Sequence, residues 1–257
     1  MSLFKEWLSS GRVVPLFSIG RAVHPAVLEM VGVSAQYQGF WLDQEHASIS
    51  TEQIQLASIM ARSYGMSCFV RMPPVDYWLV TQALEAGAEG VMAAQIHTVE
   101  QAEQFVSWCH FPPRGTRGLN TSGRDADYSR IPVGRFVEQA NPFVAIQVET
   151  LGAVEYAEQI AALDGVDLLF VGPADLSLAL GVVGQFGHEK LWEAIDRVAA
   201  ACKKHGKAWG AVVPTPEFAH RALDNGCQMP TVGNEGVAMK LGLDVLKEKF
   251  TSVFTQS

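Results

Sequence analysis

The chain has 257 residues, 48% of them hydrophobic and 18% charged, with a formal net charge of −8 at pH 7. That length fills one large domain without disulfide or metal staples, and the apolar content excludes intrinsic disorder. An acidic balance with no basic block speaks against nucleic acid as the main partner.

Taken in chain order, MSLFKEWLSSGRVV lacks the basic start, long apolar run and cleavage site of a secretory leader. No later uncharged run reaches membrane-spanning length. Strand-like runs rich in Val, Ile, Leu and Phe follow: VVPLFSIG from Val13, GFWLDQEH from Gly39, SCFVRMP from Ser67 and GVMAAQI from Gly90. FVAIQVE from Phe143, DLLFVGP from Asp167, KAWGAVV from Lys207 and MPTVGNE from Met229 continue the series. Several are near-continuously apolar, as parallel strands buried on both faces are. Between them TEQIQLASIMARSYG, VDYWLVTQALEAG, TVEQAEQFVSWCH and LWEAIDRVAAACKKHG read as amphipathic helices, with Gly65, Gly87 and Gly206 where helices end. Strands alternating with helices over about 250 residues predict a (β/α)₈ barrel. A doubly wound open sheet is the alternative, but SIGRAVHP after the first strand is not its Gly-rich phosphate turn. The barrel fits better.

The prediction is one domain over residues 1–257, interrupted by an Arg-rich insertion at about 111–140. The insertion carries Arg114, Arg117, Arg124, Arg130 and Arg135, and connections of that length are functional or pack on a neighbour. Cys68, Cys109, Cys202 and Cys227 show no CxxC spacing, and read as reduced thiols of a cytoplasmic protein.

Barrel chemistry collects at the carboxyl ends of the strands. Those ends offer Asp43, Gln44, Glu45 and His46 after strand two, Arg71 on strand three, and Gln95 and His97 after strand four. Strand five offers Gln147 and Glu149, and strand six runs through GPAD to Asp175. Glu149 and Asp175 repel unless a cation lies between them, and all-oxygen ligation suits Mg²⁺ or Mn²⁺. Helix capping accounts for the same two residues equally well. His46, near Asp43 and Glu45, fits either an acid–base group or a surface histidine. Arg71 fits either a carboxylate or enolate ligand or an internal ion pair. Gln147 orients a substrate or fills a barrel layer. The other histidines lack ligand spacing and read mostly as surface residues.

WLDQEH, FVRMP, LEAGAEGVMAAQIHTVEQA, FPPRGTRG, IQVET and GVDLLFVGPADLSLALG stand in the order found in metal-dependent 2-oxo-acid aldolases. Over roughly residues 13–245 the chain resembles the HpcH/HpaI family, most specifically from Gln147 to Gly181. The resemblance implies a (β/α)₈ barrel of the phosphoenolpyruvate/pyruvate-binding type and a class II pyruvate aldolase. It implies a divalent cation (Mg²⁺, Mn²⁺ or Co²⁺) on Glu149 and Asp175, acting as a Lewis acid on pyruvate. Arg71 then supports the enolate oxygen, and His46, paired with Asp43, moves protons beside Glu45. Gln147, Pro173 and Ala174 border the pyruvate. The reaction implied is reversible cleavage of a 4-hydroxy-2-oxo acid to pyruvate and an aldehyde. Family members form hexamers, trimers of dimers, to which GVAMKLGLDVLKEKF would contribute here.

The chain departs from the family at Ala93, Ala94 and Gln95, at LNTSGRDADYS, and at Gly233, Asn234 and Glu235. These departures bear on the aldehyde half and on subunit contacts. Two competing readings are a CoA-thioester lyase of the citrate lyase β-chain type, with the Arg-rich insertion receiving the CoA phosphates, and an inactive barrel that only binds.

Overall fold

The computed structural model describes residues 2–254 and closes eight parallel strands into a barrel in sequence order. The strands are β1 (Leu16–Ile19), β2 (Gly39–Asp43), β3 (Ser67–Met72), β4 (Gly90–Ala93), β5 (Phe143–Val148), β6 (Leu168–Val171), β7 (Ala208–Val212) and β8 (Met229–Asn234). Each lies inside its expected run. Every residue of β3 and β5 is buried, because helices cover one face and the barrel interior fills the other.

The expected helices form at Thr51–Ser63, Tyr77–Glu85, Val99–Cys109 and Glu189–His205. Their ends follow from local chemistry. Ser50 with Gln53, and Thr98 with Gln101, make reciprocal capping boxes. Gly206, at φ +64°, closes the longest of them in the left-handed region.

Alternation along the strands sends Leu16, Trp41, Phe69, Ala145, Phe170 and Met229 into one interior cluster. Followed two residues further, the same phase brings Asp43 after Trp41, Arg71 after Phe69 and Gln147 after Ala145. A hydrophobic floor therefore underlies a polar layer at the carboxyl end. The amino end is closed by the helix Leu3–Ser9, whose Phe4 packs against Phe69 at 5.5 Å and Phe143 at 5.2 Å. Glu89, just before β4, accepts the Leu3 N–H at 2.8 Å and the Ser2 hydroxyl at 3.2 Å.

The Arg-rich insertion joins the end of helix Val99–Cys109 to the start of β5, so it leaves the barrel at its amino end. It forms a small core of Phe111, Ala126 and Phe136. Arg117 is buried in an ion pair with Asp125 at 2.5 Å and stacks on Phe111 at 4.8 Å. Arg114 pairs with Asp164 at 3.4 Å. Asn120 and Tyr128 bond Glu85 and Gln55, along the outer face of two helices. Two of the arginines expected to receive CoA phosphates are thus committed to partners, away from the barrel mouth.

All four cysteines are buried and free. Among the described residues no helix is long and apolar enough to cross a membrane. Of the histidines outside the site, His24, His97 and His220 are exposed as expected, His24 and His188 cap helices through Nδ1, and only His110 is buried. The helix Glu235–Lys249 buries no residue and exposes Met239, Leu241 and Leu243.

Candidate active site

β2 and β3 pair with Asp43 opposite Arg71, and this register builds the first half of the site. Arg71 Nε donates to Asp43 Oδ1 at 3.1 Å, and Nη2 donates to Oδ2 at 2.7 Å. Its Nη1 lies 3.2 Å from Glu45 Oε2, as an ion pair without hydrogen-bond alignment. The guanidinium also stands 4.8 Å over the Trp41 ring, whose Nε1 donates to Thr231 Oγ1 at 3.0 Å. Four contacts hold Arg71 in one pose while leaving N–H groups on Nη1 and Nη2 unassigned.

Asp43 does more than pair with arginine. Its Oδ1 accepts the backbone N–H groups of Glu45 at 3.0 Å and His46 at 3.2 Å, an Asx-type turn that sets the loop after β2. Burial pushes the Asp43 carboxyl up, but Arg71 and these N–H groups outweigh it and leave it below the ordinary range. The expected Asp43–His46 pair needs correction. Asp43 holds the backbone of His46, whereas the imidazole Nε2 faces Glu45 Oε2 at 3.7 Å. The spacing suggested a side-chain pair, but Arg71 engages both Asp43 oxygens and Glu45 is the carboxylate that faces the imidazole. The His46 side chain is 59% exposed, open to the mouth.

The second half of the site rises from β4, β5 and β6. Glu149 follows β5 and is 2% exposed. Its Oε1 accepts from Gln95 N at 2.8 Å and from Gln95 Nε2 at 3.0 Å. Its Oε2 accepts from Gln147 Nε2. Gln95 adopts φ +52°, rare for a side-chain-bearing residue, and that conformation aims both its donors at one oxygen. The pairing Val148 with Val171 sets Glu149 opposite Gly172. A Cβ on Gly172 would fall 2.8 Å from both Gln147 Nε2 and Glu149 Oε2, so only glycine leaves room there.

Asp175 lies in the first turn of the helix Pro173–Ala179, which has no side-chain cap. Pro173 is buried and Ala174 exposed at its start, so first-turn N–H groups face the mouth without a side-chain acceptor. Capping does not account for Glu149, because Thr150 caps the following helix through Ala153 N at 3.0 Å.

Burial pushes Glu149 up, the charges of Glu45 and Asp175 push it further, and the Gln95 N–H and Arg71 oppose them; the carboxyl reaches about 7. Gln147 Oε1 is buried without a partner. A buried carboxylate beside two others, with an unused amide oxygen, is a donor set that a hard divalent cation fits. Among the described residues no group of three His, Cys, Asp or Glu converges, so the protein would supply Glu149 and Asp175, with solvent or substrate oxygens completing the shell.

The sequence pattern offers Gln95 as a strand-end residue and assigns its departure from the family to the aldehyde half, whereas both Gln95 donors hold Glu149. Its role comes from a positive φ and a contact 54 residues away, neither of which leaves a mark in local spacing.

Residues 22–240 match the family described as HpcH/HpaI aldolase/citrate lyase. The chain is 33% identical over 214 residues to a 5-keto-4-deoxy-D-glucarate aldolase of Klebsiella pneumoniae, covering 82% of each protein. It is 28% identical to a hydroxypyruvate/pyruvate aldolase of Roseobacter denitrificans, over 94% of this chain and 93% of that one. Among solved structures, a family protein from Burkholderia cenocepacia superposes with a TM-score of 0.88 at 29% identity, covering 96% of this chain and 99% of that chain.

Proposed function

The chain belongs to the HpcH/HpaI aldolase/citrate lyase family, and from that premise we propose that it is a class II carbon–carbon lyase cleaving a 4-hydroxy-2-oxo acid to pyruvate and an aldehyde. The observation that carries this reading is Glu149: buried, gripped by Gln95 and Gln147, and crowded by the charges of Glu45 and Asp175. Such a carboxylate calls for a cation.

When bound by Glu149 and Asp175, a divalent cation supplies Lewis-acid polarisation of the 2-oxo group. Mg²⁺, Mn²⁺ and Co²⁺ all suit the oxygen donors. The remaining work belongs to the chain. The uncapped first turn at Pro173 and Ala174 borders the pyruvate carboxylate, and Gln147 holds Glu149 through Nε2 while its buried Oε1 has no protein partner. Arg71, with N–H groups to spare, meets the charge that develops on the C2 oxygen as the C3–C4 bond breaks. His46 takes the 4-hydroxyl proton, C4 leaves as the aldehyde carbonyl, and the bonding pair moves to C3 as the enolate. Glu45 bridges the two residues and steadies the imidazolium that results. The exposed apolar side of helix Glu235–Lys249 supports assembly with further copies of the chain.

The test is a cleavage assay on a panel of 4-hydroxy-2-oxo acids before and after chelation. Turnover should vanish with chelator and return with Mg²⁺, Mn²⁺ or Co²⁺. Glu149→Gln and Asp175→Asn should each weaken metal binding by calorimetry while the circular dichroism spectrum stays unchanged. Full activity in chelator, with borohydride trapping of pyruvate on the protein, would point to Schiff-base chemistry and overturn the reading.

A further inference from the structure

The barrel mouth is rich in carboxylates, yet the substrate proposed for it is itself an anion. Asp43, Glu45, Glu149 and Asp175 all stand there, in a chain of net charge −8. Arg71 is committed to Asp43 and Glu45. In the connections from each strand end to the next helix, Arg21 is the only arginine or lysine. It is exposed, and its side chain forms no hydrogen bond or ion pair among the described residues.

The backbone at Arg21 is anything but loose. Glu235 Oε1 accepts the N–H of Gly20 at 2.9 Å and of Ala22 at 3.1 Å, and it also accepts the N–H of Arg21 itself. Glu235 opens the helix after β8, and β8 pairs with β1. One carboxylate therefore ties three successive amides of the β1 connection across the barrel seam. Gly20 packs on the site: a Cβ there would lie 3.7 Å from Asp43 Cβ. Arg21 is thus the next residue after a contact with the Asp43–Arg71 cluster, on a rim whose backbone is already fixed. A fixed backbone lowers the ordering cost of a binding contact.

We propose that Arg21 selects substrates bearing a second carboxylate at the end remote from the 2-oxo acid, with Glu235 as the residue that positions it. The inference rests on the lyase reading above and adds the substrate class. With the 2-oxo acid end near Glu149 and Asp175, a distal carboxylate meets no other uncommitted guanidinium or ammonium in these connections. The guanidinium fork accepts a carboxylate in a bidentate pair, which a neutral tail cannot form.

The test uses two 2-oxo acids of nearly equal shape that lack a 4-hydroxyl and cannot be cleaved. They are 2-oxoglutarate, with a terminal carboxylate, and 2-oxopentanoate, with a terminal methyl. Calorimetric titration of the full chain in Mg²⁺ should show 2-oxoglutarate binding about 10- to 100-fold more tightly, the range for a hydrogen-bonded charge. Arg21→Ala should remove that preference by weakening 2-oxoglutarate alone, with 2-oxopentanoate unchanged within about twofold. Glu235→Ala should erode the preference in part, and Glu235→Gln, whose amide oxygen accepts the same N–H groups, should keep it. Equal weakening of both acids in Arg21→Ala, or an undiminished preference, overturns the role of Arg21. A parent protein that binds 2-oxopentanoate without favouring 2-oxoglutarate overturns it too, and leaves the lyase reading standing. A parent that binds neither acid overturns both.

Discussion

Arg71 shows how one side chain is made useful by what restrains it. A guanidinium free in solution samples many poses; here Asp43, Glu45 and the Trp41 face leave it one. Lysine keeps the charge but cannot span both oxygens of Asp43 and reach Glu45 as well. Arg71→Lys should therefore lower both cleavage and the exchange of pyruvate methyl protons with deuterated water by about 10²-fold or more, the scale of a lost oxyanion donor. His46→Ala should lower cleavage by about 10²–10⁴-fold and exchange less, because the 4-hydroxyl proton is absent from exchange. An Arg71→Lys protein that exchanged at the parent rate would remove Arg71 from the enolate. The sequence pattern brought Asp43, His46, Arg71, Gln147, Glu149 and Asp175 to one mouth, because strand ends and alternation are local signals. It misassigned the partner of His46, because two carboxylates two residues apart compete for one arginine, and only the fold decides which faces the imidazole.

At the scale of elements, the strand runs were legible because burial on both faces leaves an unbroken apolar stretch. The seven-residue helix Leu3–Ser9 was not. Only Phe4 and Leu8 mark its buried face, too short a stripe to show a period. Its value lies in the floor it makes, where Phe4 is fully buried among Phe69 and Phe143. Phe4→Ala opens a cavity there and should cost about 3–5 kcal/mol. In a domain of this size that lowers the melting temperature by roughly 6–20 °C. The residues proposed to act in catalysis stand at the opposite end of the barrel, so kcat and KM at 25 °C should stay within about twofold of the parent. A fall in kcat with an unchanged melting temperature would mean that the floor transmits to the mouth. The insertion shows the opposite limit: its five arginines were plain in the sequence, but its amino-end origin and internal ion pairs depended on the fold.

For the whole molecule, two buried groups at distant sites set opposing responses to pH. Glu149 reaches about 7 from an ordinary 4.5, because burial and neighbouring carboxylates disfavour its charge. His110 falls to about 4 from 6.5, first because burial disfavours its charged form and then because Arg114 and Lys5 repel it. Stability rises with pH wherever the unfolded chain binds more protons. In the metal-free protein the folded state holds the extra proton at Glu149, so that group loses stability as pH climbs from about 4.5 to 7. At His110 the unfolded state holds it, so that group gains stability as pH climbs from about 4 to 6.5. Each amounts to about 3 kcal/mol at 1.36 kcal/mol per unit, and over their shared window the two offset each other. Substitution separates them. His110→Gln should leave a profile that declines by about 3 kcal/mol relative to the parent between pH 4 and 6.5. Glu149→Gln should leave one that rises by a similar amount relative to the parent between pH 4.5 and 7. The amide that Glu149→Gln introduces can be accommodated by rotation of Gln147, whose Oε1 has no partner to lose. Urea midpoints measured across the range at constant m-value supply the profiles. Saturating Mn²⁺ should convert the parent to the rising form, since a cation on Glu149 keeps it ionised in the folded state. If both variants tracked the parent at every pH, neither group would titrate in this window, and the case for a cation at Glu149 would lose its electrostatic basis.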